Sequence, residues 1–430
     1  MVELSRADLH VSVSDPVATS MNFLNEIAGR YPDAISLAAG RPYDGFYSTE
    51  DVQRYLGSYV DHLRAGGLSE ERVRGRLLQY GRTNGQLGSL IATMLEIDEG
   101  IVVPPDSVMV TAGCQEAMII ALRALCPGPD DVVLVAEPCY VGLTGAARIL
   151  GVDVVPVPES SAGLDPETVA AVAREVRAAG KRPRALYLVP NFSNPSGISL
   201  PVATRRRLLD VAGEQDLLLL EDDPYGLFGL DDEPRPALKS LDTEQRVLYL
   251  GSFAKSCFPG ARVGFLVADQ TVVGTDGTRT LLADEMSAVK SMLTVNTSPI
   301  SQAVIGGVLI ESGCSLRVAN RDKVAFYRNN LRTMLTALDE HFPAAKRGEG
   351  GGVRWNVPRG GFFAVVDLPF EADEKLLQLS AEQFGVLWTP MRFFYSDGGT
   401  HSVRLSCSYL EPEQIAEGVH RLSRLVAANA

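Results

Sequence analysis

Short, unbroken apolar runs constrain this chain more than any other feature. They are Val132-Val-Leu-Val-Ala136, Ala185-Leu-Tyr-Leu-Val189, Leu217-Leu-Leu-Leu-Glu221 and Arg246-Val-Leu-Tyr-Leu250. A strand with one wet face alternates apolar and polar residues; a strand that is apolar throughout is covered on both faces. Helical stretches stand between such runs. Ser107-Val-Met-Val-Thr111 reads as a strand followed by a helix over 115–125, and residues 204–215 read as a second helix. Repeated strand–helix units specify an α/β fold, with a mostly parallel sheet, right-handed crossovers and helices on both faces.

The last third changes character. Helical stretches over about 302–342 precede a glycine-rich loop, Arg347-Gly-Glu-Gly-Gly-Gly-Val353. Strands at 362–367 and 402–406 follow, then a helix over 412–428 with Pro412 in its first turn, where a missing N–H costs nothing. This predicts a smaller α+β domain completed by the N-terminal segment. The expected division is 1–45 for that segment, 46–300 for a large domain and 301–430 for the small one. With 430 residues and 46% hydrophobic content, the chain is long enough for such cores.

In parallel sheets ligands bind at the carboxyl ends of the strands, and the polar motifs fall there. The run at 246–250 leads into Gly251-Ser-Phe-Ala-Lys-Ser-Cys-Phe-Pro-Gly-Ala-Arg-Val-Gly264. A lysine at a buried strand end has its charge penalised and its pKa lowered, which suits attack on a carbonyl. Ser252 and Arg262 flank Lys255 and suit a phosphate. Lysine chemistry beside phosphate binding suggests pyridoxal 5′-phosphate (PLP), an aldehyde bearing a phosphate.

Other strand ends offer matching parts. Glu221-Asp-Asp-Pro-Tyr225 places carboxylates where only a cation justifies their burial. Asp222 is the preferred partner of a pyridine nitrogen; the alternative is that the aspartates begin a turn. Asn194, in Asn-Pro-Ser-Gly, and Tyr225 are candidate donors to the cofactor's phenolate oxygen, or Asn-Pro is a plain turn. Thr111-Ala-Gly-Cys-Gln-Glu-Ala117 is a strand–glycine–helix junction. Gly113 there lets the backbone approach a phosphate, with amides from Cys114 and Gln115, or it is an ordinary helix start. Tyr140 is placed to stack on a flat ring or to fill core. Arg404, mid-strand among apolar residues, needs an anion: a substrate carboxylate or an internal salt bridge.

Taken together, the motifs resemble the fold-type I PLP enzymes of the class I/II aminotransferase family. Ser-Phe-Ala-Lys…Pro-Gly-Ala-Arg-Val-Gly, Asn-Pro-Ser-Gly, Glu-Asp-Asp-Pro-Tyr and Arg-Leu-Ser match in order, from about Ile35 to the C-terminus. The resemblance implies a large domain with a mostly parallel central sheet and a smaller α+β domain. It implies that Lys255 carries the cofactor and moves the proton, that Asp222 and Tyr225 assist it, and that Gly113, Cys114, Gln115, Tyr140, Asn194, Ser252 and Arg262 hold the cofactor. Arg404, Gly40 and Asn194 are then the substrate contacts. Tyr80, and less directly Thr297, would reach the phosphate of a neighbouring subunit in a homodimer. Ser14-Asp-Pro-Val, Met21-Asn-Phe-Leu-Asn-Glu26, Gly40-Arg-Pro-Tyr43 and Lys290-Ser-Met-Leu-Thr-Val-Asn-Thr-Ser-Pro299 resemble the arylglycine aminotransferases of peptide-antibiotic pathways. Those make hydroxyphenylglycine or 3,5-dihydroxyphenylglycine from arylglyoxylates. Tyr43, Phe192, Phe362 and Phe394 are candidate linings of an aryl slot. Arg392 belongs either to the substrate pocket or to the surface.

Transamination from an L-amino acid to a 2-oxo acid is the leading expectation. Elimination, cyclisation and oxygen-dependent oxidation start from the same residues. An effector domain of a transcription regulator can borrow the fold, but would carry a basic N-terminal segment. A net charge of −13 argues against nucleic acid and anionic membranes. The six cysteines are scattered and the five histidines far apart, so neither a disulfide framework nor a metal site is expected. The polar N-terminus and the lack of a long apolar run predict a cytoplasmic protein.

Overall fold

Each apolar run of the middle segment becomes a strand of one sheet in the computed structural model, which describes residues 2–14, 26–27, 29–233, 235–343 and 352–429. A short strand β1 (Ile35–Ser36) comes first. The sheet follows: β2 (Val108–Thr111), β3 (Asp131–Glu137), β4 (Asp153–Ser160), β5 (Gly163–Leu164), β6 (Arg182–Leu188), β7 (Leu218–Asp222), β8 (Val247–Ser252) and β9 (Gly264–Val267). Their spatial order is β2-β9-β8-β7-β6-β3-β4-β5. The pairs from β8 through β7, β6 and β3 to β4 are parallel. β9 runs antiparallel to both β8 and β2. The cause is the connection: residues 253–263 hold only a short 3-10 turn, and a parallel return needs about a dozen residues or more, usually a helix.

Successive residues of these strands feed opposite cores. Val133, Val135, Ala185, Tyr187, Leu220 and Leu248 pack on the helices Cys114–Leu125, Val141–Leu150 and Leu282–Leu293. Val132, Leu134, Leu186, Leu188, Leu219 and Val247 pack on the helices Pro166–Ala178 and Val202–Glu214. Unbroken apolar strands are what two covered faces require, and each fully buried Val or Leu contributes about 1.5–3 kcal/mol.

Beyond a hairpin of β10 (Thr271–Val273) and β11 (Arg279–Leu281) lies a second layer. The helical stretch expected over 302–342 is three helices, Pro299–Glu311, Leu316–Ala319 and Arg321–His341. Strands β12 (Arg354–Trp355), β13 (Phe363–Asp367), β15 (Thr389–Pro390) and β16 (Ser402–Ser406) form an antiparallel sheet in the order β12-β13-β16-β15. β14 (Val386–Leu387) pairs in parallel with β1, and Leu37 accepts a bond from the Ser406 amide at 2.7 Å. The N-terminal segment is thereby tied to this second layer, where Leu37 is buried with the C-terminal helix Pro412–Asn429. Most of the glycine-rich segment, and residues 15–25 with the motifs there, lie outside the described residues.

Candidate active site

All parallel strands of the large sheet end at the same edge, and most of them deliver polar groups to it. β3 leads to Tyr140, β6 to Asn194, β7 to Asp222 and Tyr225, β8 to Ser252 and Lys255, and β2 to Gly113 and Cys114. β9 runs the other way, so its beginning lies at that edge and brings Arg262 with it. From the second layer, β16 supplies Arg404, and the turn after β1 supplies Gly40. These groups line one cavity of about 850 Å³, apart from Gly113, which stands directly behind Arg262.

Lys255 is half-buried at the cavity floor, and its Nζ donates to the Gly40 carbonyl at 2.8 Å. Burial, and then the cations of Arg404 and Arg262, lower its pKa to about 8; Asp222 opposes them. About a tenth of the amine is therefore neutral and nucleophilic at pH 7, against well under a hundredth for an ordinary lysine. Asp222 is 4% exposed and accepts from the Tyr187 hydroxyl at 2.7 Å and from the Cys114 thiol at 3.5 Å. Burial lifts its carboxyl to about 6 despite those two donors. Its neighbour Asp223 does begin a turn, accepting from the Gly226 amide and from Asn191. The turn reading therefore holds for Asp223, while Asp222 faces the cavity.

The helix Cys114–Leu125 has no side-chain cap. Its N-cap is Gly113, at φ 83°, and a Cβ there would lie 2.6 Å from Nη2 of Arg262. The Arg262 backbone N–H donates to the Pro259 carbonyl, but its guanidinium makes no hydrogen bond to any described residue. Free helix N–H groups, an unpaired guanidinium and the nearby Ser252 hydroxyl form a cradle for a phosphate. The Gln115 side chain is spent elsewhere, donating to the Gly142 carbonyl at 2.6 Å, so only its backbone amide is available. Gly264 completes the close approach: a Cβ on it would meet the Cys114 nitrogen at 2.7 Å.

Arg404 is 4% exposed, yet no carboxylate pairs with it among the described residues. Its Nη2 donates to the Ala38 carbonyl at 2.9 Å and to Thr389, and its Nη1 to the Asn194 side-chain oxygen. Its Nε has no partner. Burial lowers its pKa to about 10, opposed by the Tyr225 and Tyr140 hydroxyls. No internal salt bridge to it is present among the described residues, so the buried cation lacks a counter-anion there, and an incoming carboxylate would supply one. Tyr225 is buried and faces Asn194; burial raises its pKa, and burial holds Tyr140 up at about 12, so both are proton donors at neutral pH.

A phosphorylated aldehyde fits this set: a nucleophilic amine, a phosphate cradle, a buried carboxylate and a buried cation with no carboxylate partner among the described residues line one cavity. Four expectations are corrected. Thr297 is 2% exposed, with its hydroxyl bonded to Val110 and Lys290, so it is not free to reach a neighbour. Phe192 and Phe362 are fully buried, and Tyr43 bonds Glu411 and stacks on Phe326; none of the three lines the cavity. Phe394 does, and so does Phe363, one residue beyond the expected Phe362. Arg392 pairs with Glu374 outside the cavity. Tyr80 is 83% exposed and also outside it.

Two functional supports escaped the sequence. Tyr187, inside β6, looked like core; a tyrosine in a wholly buried strand needs a partner for its hydroxyl, and Asp222 is that partner. Lys290, fully buried, pairs with Glu116 at 3.0 Å, and Glu116 also holds the Ala112 amide at 2.6 Å. This braces the turn that carries Gly113.

Comparison with known proteins agrees with the geometry. The family model described as Aminotransferase class I and II matches residues 62–422. An (S)-3,5-dihydroxyphenylglycine transaminase of Amycolatopsis orientalis is 48% identical over 428 residues, covering 99% of this chain and 95% of that one. A 2-aminoadipate transaminase of Thermus thermophilus is 31% identical, covering 91% of this chain and 90% of that one. Among solved structures, a kynurenine aminotransferase of Pyrococcus horikoshii, in complex with PMP, superimposes with a TM-score of 0.80 at 29% identity, covering 94% of each chain.

Proposed function

The chain belongs to the aminotransferase class I and II family and uses pyridoxal 5′-phosphate, and from that premise we propose that the amino acid it makes is an arylglycine, hydroxyphenylglycine or 3,5-dihydroxyphenylglycine, from the matching arylglyoxylate. The observation that carries the substrate reading is the 48% identity, over nearly the full length of both chains, to a dihydroxyphenylglycine transaminase. The cavity supports it: beside Arg404 it offers Ala38, Phe363, Phe394 and Leu410, an apolar wall suited to a ring. Supply of a non-protein amino acid for a peptide antibiotic, in the cytoplasm, is the setting we propose.

When bound, the cofactor supplies an aldehyde for the amine and a ring that accepts electrons from the substrate's Cα. Lys255 is proposed to hold it and then, freed, to move the proton from Cα. Its lowered pKa makes it a base at neutral pH. Asp222, kept close by Tyr187, would pair with the ring nitrogen, and a cation there would draw its pKa back down. Tyr225 and Asn194 would donate to the phenolic oxygen, and Tyr140 would pack on the ring. Gly113, Cys114, Gln115, Ser252 and Arg262 would hold the phosphate. Arg404, with Asn194 and the Gly40 backbone, orients the substrate carboxylate so that its Cα faces Lys255.

A homodimer with shared sites is part of the proposal. Segment 81–86 packs against 296–302, with Gln86 bonded to Pro299 and Gln302. Around it Leu78, Tyr80, Met292, Val295 and Ile300 are about half or more exposed, an apolar patch of the kind a partner covers. Tyr80 is its most protruding tyrosine and is proposed to reach the partner's phosphate. The division at residues 45 and 300 is retained as the proposed domain plan.

The test is spectroscopic. Adding 3,5-dihydroxyphenylglycine or 4-hydroxyphenylglycine to the holoenzyme should convert bound cofactor from its aldehyde to its amine form, and the matching arylglyoxylate should reverse it. No conversion with either arylglycine, alongside ready conversion by another amino acid, would refute the substrate reading.

A further inference from the structure

The cavity wall holds three guanidinium groups, and the reading above gives anions to only two, Arg262 and Arg404. The third is Arg41. Its main chain is fixed at the reacting centre: the Gly40 carbonyl before it accepts from Lys255, and its own carbonyl accepts from Ser408 at 2.7 Å. Its guanidinium lies over the Tyr409 ring, 3.6 Å from the centroid. A guanidinium stacked in this way has one face engaged and its N–H edge free for acceptors lying in its plane. Its ion-pair partner among the described residues is Asp44 at 3.9 Å, longer than a hydrogen bond, on the exposed side. Beside it Gln414 accepts from the Glu411 amide through Oε1, which leaves its NH2 as a further donor on the same wall.

The same cavity that holds Arg404 and Arg41 is lined by the apolar Ala38, Ala39, Phe394 and Leu410. A flexible acidic chain gains little on such a surface, whereas a flat ring buries its faces there and presents its edge substituents to the far donors. We propose that Arg41, held flat by Tyr409, is a specificity-determining residue that donates hydrogen bonds to the ring hydroxyls of the aryl side chain. This rests on the arylglycine reading and adds to it the group that distinguishes a hydroxylated ring from a bare one.

The experiment compares wild type, R41A, R41K and Y409L holoenzymes in the half-reaction with 3,5-dihydroxyphenylglycine, unsubstituted phenylglycine and glutamate. Loss of a charge-assisted bond predicts that the preference for the dihydroxylated ring falls roughly 10- to 100-fold in R41A, through substrate affinity rather than the limiting rate. R41K recovers only part of it, since lysine keeps the charge but loses the fork and the stack. Y409L falls in the same direction by less. A preference unchanged in R41A overturns the inference while leaving the arylglycine reading in place. A loss confined to glutamate also overturns it, assigning Arg41 to a side-chain carboxylate. A wild type inert towards both arylglycines refutes the underlying reading and the inference with it.

Discussion

Gly113→Ala isolates the phosphate cradle from the rest of the fold. Gly113 sits at φ 83° and ψ 166°, a region essentially reserved for glycine, so alanine carries about 1–3 kcal/mol of backbone strain. The new Cβ would also lie 2.6 Å from Nη2 and 3.2 Å from Cζ of Arg262. The guanidinium is the end of a flexible side chain and can move, so the clash is relieved by displacing it. That relief removes the cation from the phosphate. One lost charge-assisted hydrogen bond is about 1.5–3 kcal/mol, a weakening of cofactor binding of about 10- to 150-fold. The assay is the dissociation constant of PLP for apo protein, with urea midpoints measured in parallel. Gly260→Ala, in the same loop but with nothing within 4 Å of the added Cβ, is the control and should bind as wild type does. A Gly113→Ala protein that is destabilised yet binds PLP normally would refute the cradle.

Three further outcomes follow from the charges. Asp222 has a folded pKa of about 6 against 3.8 for an ordinary aspartate, so folded apo protein holds the extra proton between those values and its stability falls as pH rises through them. The loss is about 3 kcal/mol; apo Asp222→Asn should lack it in urea melts from pH 4 to 7, and parallel curves for the two proteins would contradict the assignment. The reactive form of Lys255 is the neutral amine, so the rate of PLP attachment to apo protein should rise with pH with a midpoint near 8; a midpoint near 10.5 would mean the cavity does not depress it. Lys290→Met strands the buried Glu116 carboxylate and should cost about 3–5 kcal/mol, much of it recovered in the Glu116→Gln/Lys290→Met double variant. Strictly additive losses in unfolding midpoints would show that the pair is not coupled.

The central sheet was legible because strands covered on both faces must be apolar throughout, and the site was legible because its polar groups follow directly on those strands. Elements that break this rule were missed. β4 carries Pro156 and Pro158 and is only partly covered, so its sequence does not read as a buried strand. β9 starts at the last residue of the lysine motif and is only four residues long, too short to stand out as a run of its own. Pairings distant in sequence left no local trace: Lys290 and Glu116 are 174 positions apart, and Tyr187 sits in a run that reads as core. The choice between Phe362 and Phe363 turned on strand alternation in β13, which an apolar run conceals. For Arg404 the sequence posed the right question, which anion neutralises it, and the structure removed the internal answer.

The most direct measurement of the central claim is chemical. Borohydride reduction of the PLP-loaded protein, followed by proteolysis and mass spectrometry, maps the amine that holds the cofactor. Lys239 and Lys290 are more deeply buried than Lys255, but each is tied to a carboxylate, Asp269 and Glu116 respectively, while Lys255 faces the cavity and, among the described residues, hydrogen-bonds a carbonyl and no carboxylate. The account predicts the phosphopyridoxyl label on Lys255 alone. A label on Lys239, Lys290 or any other lysine, with Lys255 unmodified, would contradict it.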